Sequence, residues 1–461
     1  FTIELPEILA PFEFQIAHPR SPRRTAKVRF TGNEAFLPPR PVLPKGFIDL
    51  GGLPVKVTPK GPVVPDLGRI KPYVTLFPWA RLDWHRWFDL FDTIDPCTAV
   101  PAKTGYVEIA VDSLTNMCRV SKDCGRVYTV SDRGQGCVVN VITESIDAGF
   151  TVAPNPSPSP PHPSGITPLV HPFTKGGINH KYQRLYVPAS FYSTTRTHET
   201  GGFYVAVVDI DPDSPNYLST ISWIDCGWIP EEVAFSANEE IGVIANYMQG
   251  TATFFQASTG AIIGAKERDG FTGAAAGAGD ALSRSVRCAN VPGIGNRAYM
   301  TLTDKSPKPG LAVFDLDSSP GFPRSNIDLS GFVDGVALSP DRRHLLALSS
   351  SNLFVVRVDV DPPVLERTIA LPTGSSQSYF GGLAVRPTGD LVFLATGSAN
   401  STLASQGTSL TCVNWVTGTT LEVPGGLASQ TWGLEIHSFG SPLKPHIFVC
   451  SRSGKLTIIP C

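Results

Sequence analysis

The chain has 461 residues, among them 43 glycines, 42 prolines and only three methionines, and 17% of its residues are charged. A protein built of long helices is excluded, because glycine and proline break helices and collect in turns and loops. The net charge of −2 excludes a generally basic surface, so nucleic acid is not an expected partner, and no run reaches the roughly 18 apolar residues that a membrane-spanning helix needs.

In chain order, the first segment is an arm. Residues 1–78 hold 14 prolines, including the run Leu37-Pro38-Pro39-Arg40-Pro41-Val42-Leu43-Pro44. Proline at that density prevents helices and sheet interiors but suits an extended segment lying along another surface. Short apolar pieces, Ala26–Phe30, Phe47–Leu50 and Tyr73–Leu76, each have the length of one strand added to a sheet edge. After Pro78, Trp84, Trp87, Phe88 and Phe91 share one face of a predicted short helix over 79–91. Its acidic residues favour packing on the main domain or a neighbour over a membrane surface. Residues 1–100 are thus expected to be a docking arm, and 105–461 a separate domain. The chain begins at Phe1 with no charged-then-apolar leader, as a processed mature product or a trimmed chain would.

From about residue 105 the sequence repeats itself. Glu232–Asn238, Gly335–Asp341, Gly382–Thr388 and Gly433–Ser438 each read as a short strand running into a polar turn. Each is followed by a more apolar strand (Ile241–Ala245, His344–Leu348, Leu391–Ala395, His446–Cys450) and then by a third (Thr253–Phe255, Leu353–Val356, Leu410–Val413, Leu456–Ile459). Three of the third strands end alike, in Val208–Pro212, Phe314–Ser318 and Val358–Pro362. The alternating Asp209, Asp211 and Asp213 could suggest calcium, but Thr220 stands where an EF-hand needs an acid, and aspartate also caps turns.

Units of four short strands at a period of about 50 residues predict an all-β fold, a seven-bladed β-propeller with an extended Pro-rich N-terminal arm and one short helix. The blades fall near 105–150, 168–228, 231–268, 284–330, 333–372, 380–424 and 431–461. The last copy stops after its third strand, leaving an unpaired edge. The arm is expected to supply the missing strand, either to its own ring or to a neighbouring chain. The units Gly125–Ser131 with Cys137–Ile142, Arg184–Pro188 and Pro387–Phe393 resemble the YVTN-type, or lactonase-like, seven-bladed propeller repeats over residues 105–461. That resemblance implies a secreted or surface location and activities ranging from lactone hydrolysis to pure binding. No catalytic residue of the family matches a position here, and the arm has no counterpart in it.

Covalent features point outward from the cell without deciding the matter. Nine cysteines lack any C-x-x-C spacing, and Cys118 and Cys124, flanking the loop Arg119–Asp123, are the disulfide candidate. Asn400-Ser401-Thr402 is a glycan acceptor motif in a small-residue loop. The segment Pro154–Ser164, with Ser157, Pro158, Ser159, Pro160 and Pro161, resembles the hydroxylated, sugar-bearing Ser-Pro modules of plant and algal wall glycoproteins, or is a plain linker. No hydrolase elbow, zinc motif or phosphate loop occurs: Gly273–Gly279 lacks the Lys-Ser/Thr that holds phosphate. No catalytic residue, cofactor or metal is therefore assigned. The expected function is a non-catalytic extracellular structural or binding subunit, whose partners are copies of itself or another surface protein or glycan. The rivals are a propeller enzyme of lactonase type acting on a lactone or sugar acid, and a monomeric recognition module. Carboxylates, arginines or histidines converging at one channel mouth would favour the enzyme.

Overall fold

The structure is a computed structural model. It describes residues 107–122, 125–141, 143–156, 169–170, 175–190, 203–227, 229–247, 251–266, 283–302, 310–319, 321–330, 333–349, 351–372, 378–386, 390–397, 410–423, 431–438 and 445–460, together with the short strands 12–18, 21–30, 48–49, 54–55, 57–58 and 61–62. The chain divides into two units, Phe1–Thr98 with Gly440–Lys444, and Ala99–Phe439 with Pro445–Cys461.

In the larger unit every described strand belongs to an antiparallel sheet, and the sheets form seven blades. The innermost strands, in blade order, are Thr115–Val120, Gly177–Asn179, Pro230–Phe235, Val286–Val291, Val333–Leu338, Ser378–Val385 and Thr431–Ser438. Blade 1 continues outward through Arg126–Ser131, Gln135–Asn140 and Ser145–Thr151, and the next five repeat that meander. Apolar clusters fill the seams between neighbouring sheets. Met117, Tyr128 and Val130 meet Leu185, Val187 and Tyr204 between blades 1 and 2, and Phe254 meets Met300, Phe314 and Phe322 between blades 3 and 4. Middle strands are accordingly buried on both faces, as Val205–Val208 and Leu345–Leu348 are, and read as unbroken apolar runs.

The repeated turn residues have a repeated job. Ser236 Oγ accepts from Ile241 N at 3.0 Å and pairs with Asn238 at 2.7 Å; Ser339 Oγ accepts from His344 N at 2.9 Å and donates to Asp341 at 2.5 Å. The acidic strand ends also fold turns. Asp209 accepts from Asp211 N at 2.9 Å and Ser214 Oγ at 2.5 Å, and Asp315 accepts from Asp317 N and Ser318 Oγ, both at 3.0 Å.

The seventh blade departs from the sequence reading. Its fourth strand is Val107–Ala110, which pairs Lys455 with Ala110, Leu456 with Ile109, Thr457 with Glu108 and Ile458 with Val107. Blade 1 therefore begins at Thr115, not near 105, and the ring is completed by its own chain without residues of the arm. Ile109 is buried among Phe448, Leu456 and Ile458, and Lys455 reaches Glu108 at 2.6 Å.

In the smaller unit, Phe12–His18 and Ser21–Phe30 form a two-stranded antiparallel hairpin, so the Ala26–Phe30 piece pairs locally; Ile48–Asp49 pairs with Pro54–Val55. The predicted helix over 79–91 and the piece Tyr73–Leu76 lie outside the described residues. Among the described residues no helix is long and apolar enough to cross a membrane.

Candidate functional site

Because each blade meanders antiparallel, its inner strand starts at one end of the channel. The connectors from one blade to the next, and those between second and third strands, lie at that same end. The four longest connectors belong to this set, 152–176, 191–202, 267–285 and 398–409, with the shorter 303–309, 371–377 and 424–430, whereas the longest at the opposite end are 210–219 and 316–323. At the opposite end the connectors are mostly tight turns, such as 121–125, 180–183, 292–294 and 257–261. The longest connectors thus gather at one face of the ring, the more elaborated of the two.

Beneath the elaborated face the inner strands bring charge together. Their starts are irregular in the same way: Asn116, Glu231 and Asp334 are each the extra residue of a bulge, skipped in pairing between Thr115 and Met117, Pro230 and Glu232, and Val333 and Gly335. A bulge breaks the alternation of a strand and re-aims a side chain. Blade 2 contributes Lys175 from just ahead of its inner strand, held by hydrogen bonds from Lys175 N and Gly176 N to Glu231 O (2.7 and 3.1 Å) and from Val233 N to Gly176 O (3.0 Å). Two glycines permit this approach. Gly176 has φ +59°, and a Cβ on Gly177 would lie 2.3 Å from the Val233 carbonyl oxygen.

Glu232, fully buried, is the hub. One oxygen meets Arg119 at 3.1 Å and Arg287 at 2.5 Å; the other accepts from Ser285 Oγ at 2.5 Å and Val286 N at 3.0 Å. Burial alone would raise its pKa, but Arg287, Lys175 and Arg119, with the Ser285 hydrogen bond, outweigh it and hold the carboxyl below its ordinary value. A second group lies beside it. Arg284 is 3.5 Å from Asp334, donates to the Tyr247 hydroxyl at 2.9 Å and sits 4.6 Å from the centre of that ring. Burial pushes the Glu231 carboxyl up to about 8 against the pull of Arg284 and Lys175, and raises Asp334 likewise; it drives the Lys175 ammonium down despite Glu232. Asn116, Met117, Lys175, Glu232, Arg287 and Leu383 are among the residues around a channel cavity with about 10 Å³ of room for a water's centre, which is space for one water.

No linear motif singles out these charged residues, because the site is assembled from five blades. Of the residues that motifs do single out, Cys118 lies buried in the inner strand of blade 1 with its thiol 3.7 Å from the Phe448 carbonyl. Cys124, Asn400, Ser157, Pro158, Ser159, Pro160 and Pro161 lie outside the described residues, and no disulfide joins two described cysteines. The missed signal is a register one. Extending the aligned repeat one residue toward the N-terminus from Glu232 and Gly335 places two acids, Glu231 and Asp334, at equivalent positions. Blade 1 carries Arg119 where other blades carry Ala234, Ala337 and Ala384.

Fold and channel together define a seven-bladed β-propeller. The chain resembles the β-propeller domain of Cps50 (Swd1) from Myceliophteria thermophila, with TM-score 0.51 and 14% identity over 76% of this chain and 99% of that one. It also resembles U3-55K, with TM-score 0.54 and 10% identity over 78% of this chain and all of that one. At these identities the likeness is one of fold. No protein-family model and no curated protein matches the sequence.

Proposed function

We propose that the chain is a non-catalytic binding or structural subunit that presents its elaborated face to a macromolecular partner, works outside the cell, and associates with copies of itself through its N-terminal arm. The observation that carries the binding reading is the pairing of long connectors on one face with a channel whose charges are engaged with one another. Long connectors on a rigid ring offer contact area, and propellers serve as such platforms. The glycan motif at Asn400 and the Ser-Pro segment fall in two of these connectors, 398–409 and 152–176. Self-association draws on the closure of the ring by Val107–Ala110, a pairing that does not use the arm.

The catalytic rival gains one observation, the convergence of Glu231, Glu232 and Asp334 with three arginines. Against it stand the saturation of Glu232 by four donors and a cavity sized for a single water rather than for a lactone. Light scattering on the full chain and on a chain starting at Ala99 tests the reading. The shortened chain keeps the strand that closes the ring, and should be a folded monomer where the full chain is an assembly. The same oligomeric state for both chains would overturn the self-association proposal.

A further inference from the structure

We propose that the channel cavity binds a small monovalent anion of halide size, held by Lys175 and Asn116. The inference does not depend on the identity of the partner discussed above. It starts from one buried donor that lacks an acceptor and one ammonium with a single, long one. Among the described residues, Lys175 Nζ has one hydrogen bond, a long 3.5 Å contact to the Asp334 carbonyl, and no carboxylate within ion-pair distance. Asn116 is 1% exposed, and its Oδ1 accepts from Arg452 Nη1 at 3.0 Å, which fixes the orientation of the amide. Its Nδ2 is then left buried with no acceptor among the described residues. A buried donor without a partner costs about 1–3 kcal/mol, so Asn116 Nδ2, beside the half-buried and weakly engaged Lys175 ammonium, calls for an acceptor.

The one carboxylate among the described residues lining that cavity is already engaged. Both Glu232 oxygens are occupied by Arg119, Arg287, Ser285 and Val286 N, and the remaining lining includes the apolar Met117, Val336 and Leu383. Charge points the same way. The channel groups carry Arg119, Lys175, Arg284 and Arg287 against Glu231, Glu232 and Asp334, and burial disfavours ionisation of Glu231, Asp334 and Lys175 alike, which leaves three arginines against the Glu232 carboxylate. The surroundings are thus short of negative charge, and a cation in a low-dielectric site gains most from a counter-ion in contact. Water brings hydrogens that this donor-lined space does not need, whereas an anion brings only acceptor capacity. The single-water dimension admits a halide and excludes a sulfate.

The test uses the full chain. At constant ionic strength, stepwise replacement of sodium gluconate by sodium chloride or bromide should raise the melting temperature along a saturating curve, as a ligand bound only by the folded state does. Sulfate should not reproduce the curve, and Lys175→Gln should abolish it. Superimposable halide and gluconate series, or a full halide response in Lys175→Gln, would overturn the proposal. Should that variant fail to fold, crystals of the unaltered chain grown in bromide decide the matter. An anomalous peak beside Lys175 Nζ is expected there, and density without anomalous signal, which is water, would overturn it.

Discussion

Glu232 is the residue on which the channel turns. Replacing it with alanine leaves Arg119 and Arg287 facing each other without their shared carboxylate, and removing one partner of a buried ion pair costs about 3–5 kcal/mol. Urea denaturation of Glu232→Ala should show a loss of that order; a loss under about 1 kcal/mol would mean the arginines find other partners. Neighbouring carboxyls respond to pH in opposite senses. Glu232 is held below its ordinary value, so its support is present above the unfolded pKa of about 4.5 and is lost as pH falls through the lower folded value. Glu231 is raised from 4.5 to about 8, so between those values the unfolded chain has released a proton that the folded chain keeps, and stability drops as pH rises. Glu231→Gln removes that drop. The variant should gain stability relative to the parent between about pH 5 and about pH 8, and an equal difference at both values would contradict the assignment. These residues are legible in the sequence only as a position in a repeat. Glu231 and Asp334 are unremarkable acids along the chain, and what makes them converge is a bulge, which no composition or motif announces.

At the scale of elements, the closing strand shows where sequence reading succeeds and where it stops. Blade count and period follow from the strand–turn–strand repeats, because Ser236 and Ser339 fold the same turn in two of the copies and the apolar second strands must be buried on both faces. Chain order alone assigns Val107-Glu108-Ile109-Ala110 to the start of blade 1. Its alternation of apolar and polar residues carries the true assignment: only Ile109 is buried, as in an outermost strand, whereas Thr115–Val120 is buried along its whole length, as an inner strand must be. Ile109→Ala should therefore cost about 2–5 kcal/mol through the cavity left against Phe448 and Leu456, while Glu108→Ala, which loses a largely exposed pair with Lys455, should cost under about 1 kcal/mol. Equal effects would mean that the strand is held by its rim. At the seam of blades 2 and 3, Gly177→Ala forces a methyl against the Val233 carbonyl and should destabilise by about 1–3 kcal/mol, read by the same denaturation.

For the whole molecule, each sheet packs on its neighbours and the last is joined to the first, so the circle rather than any blade is the cooperative unit. A chain starting at Val111 lacks the closing strand, and should unfold at lower urea than one starting at Ala99, with fluorescence and circular dichroism transitions that no longer coincide. Matching midpoints would show that the other six sheets and a three-stranded seventh suffice. The closing pair also sets a schedule for biosynthesis. Glu108 and Lys455 stand 347 positions apart, so the segment that closes the ring waits on translation of some 347 further residues before its mate exists. Throughout that interval the nascent ring has two open edges exposed to other nascent chains. Loss of Lys455–Pro460 would leave both edges open permanently, making that strand as decisive for solubility as any residue in the interior.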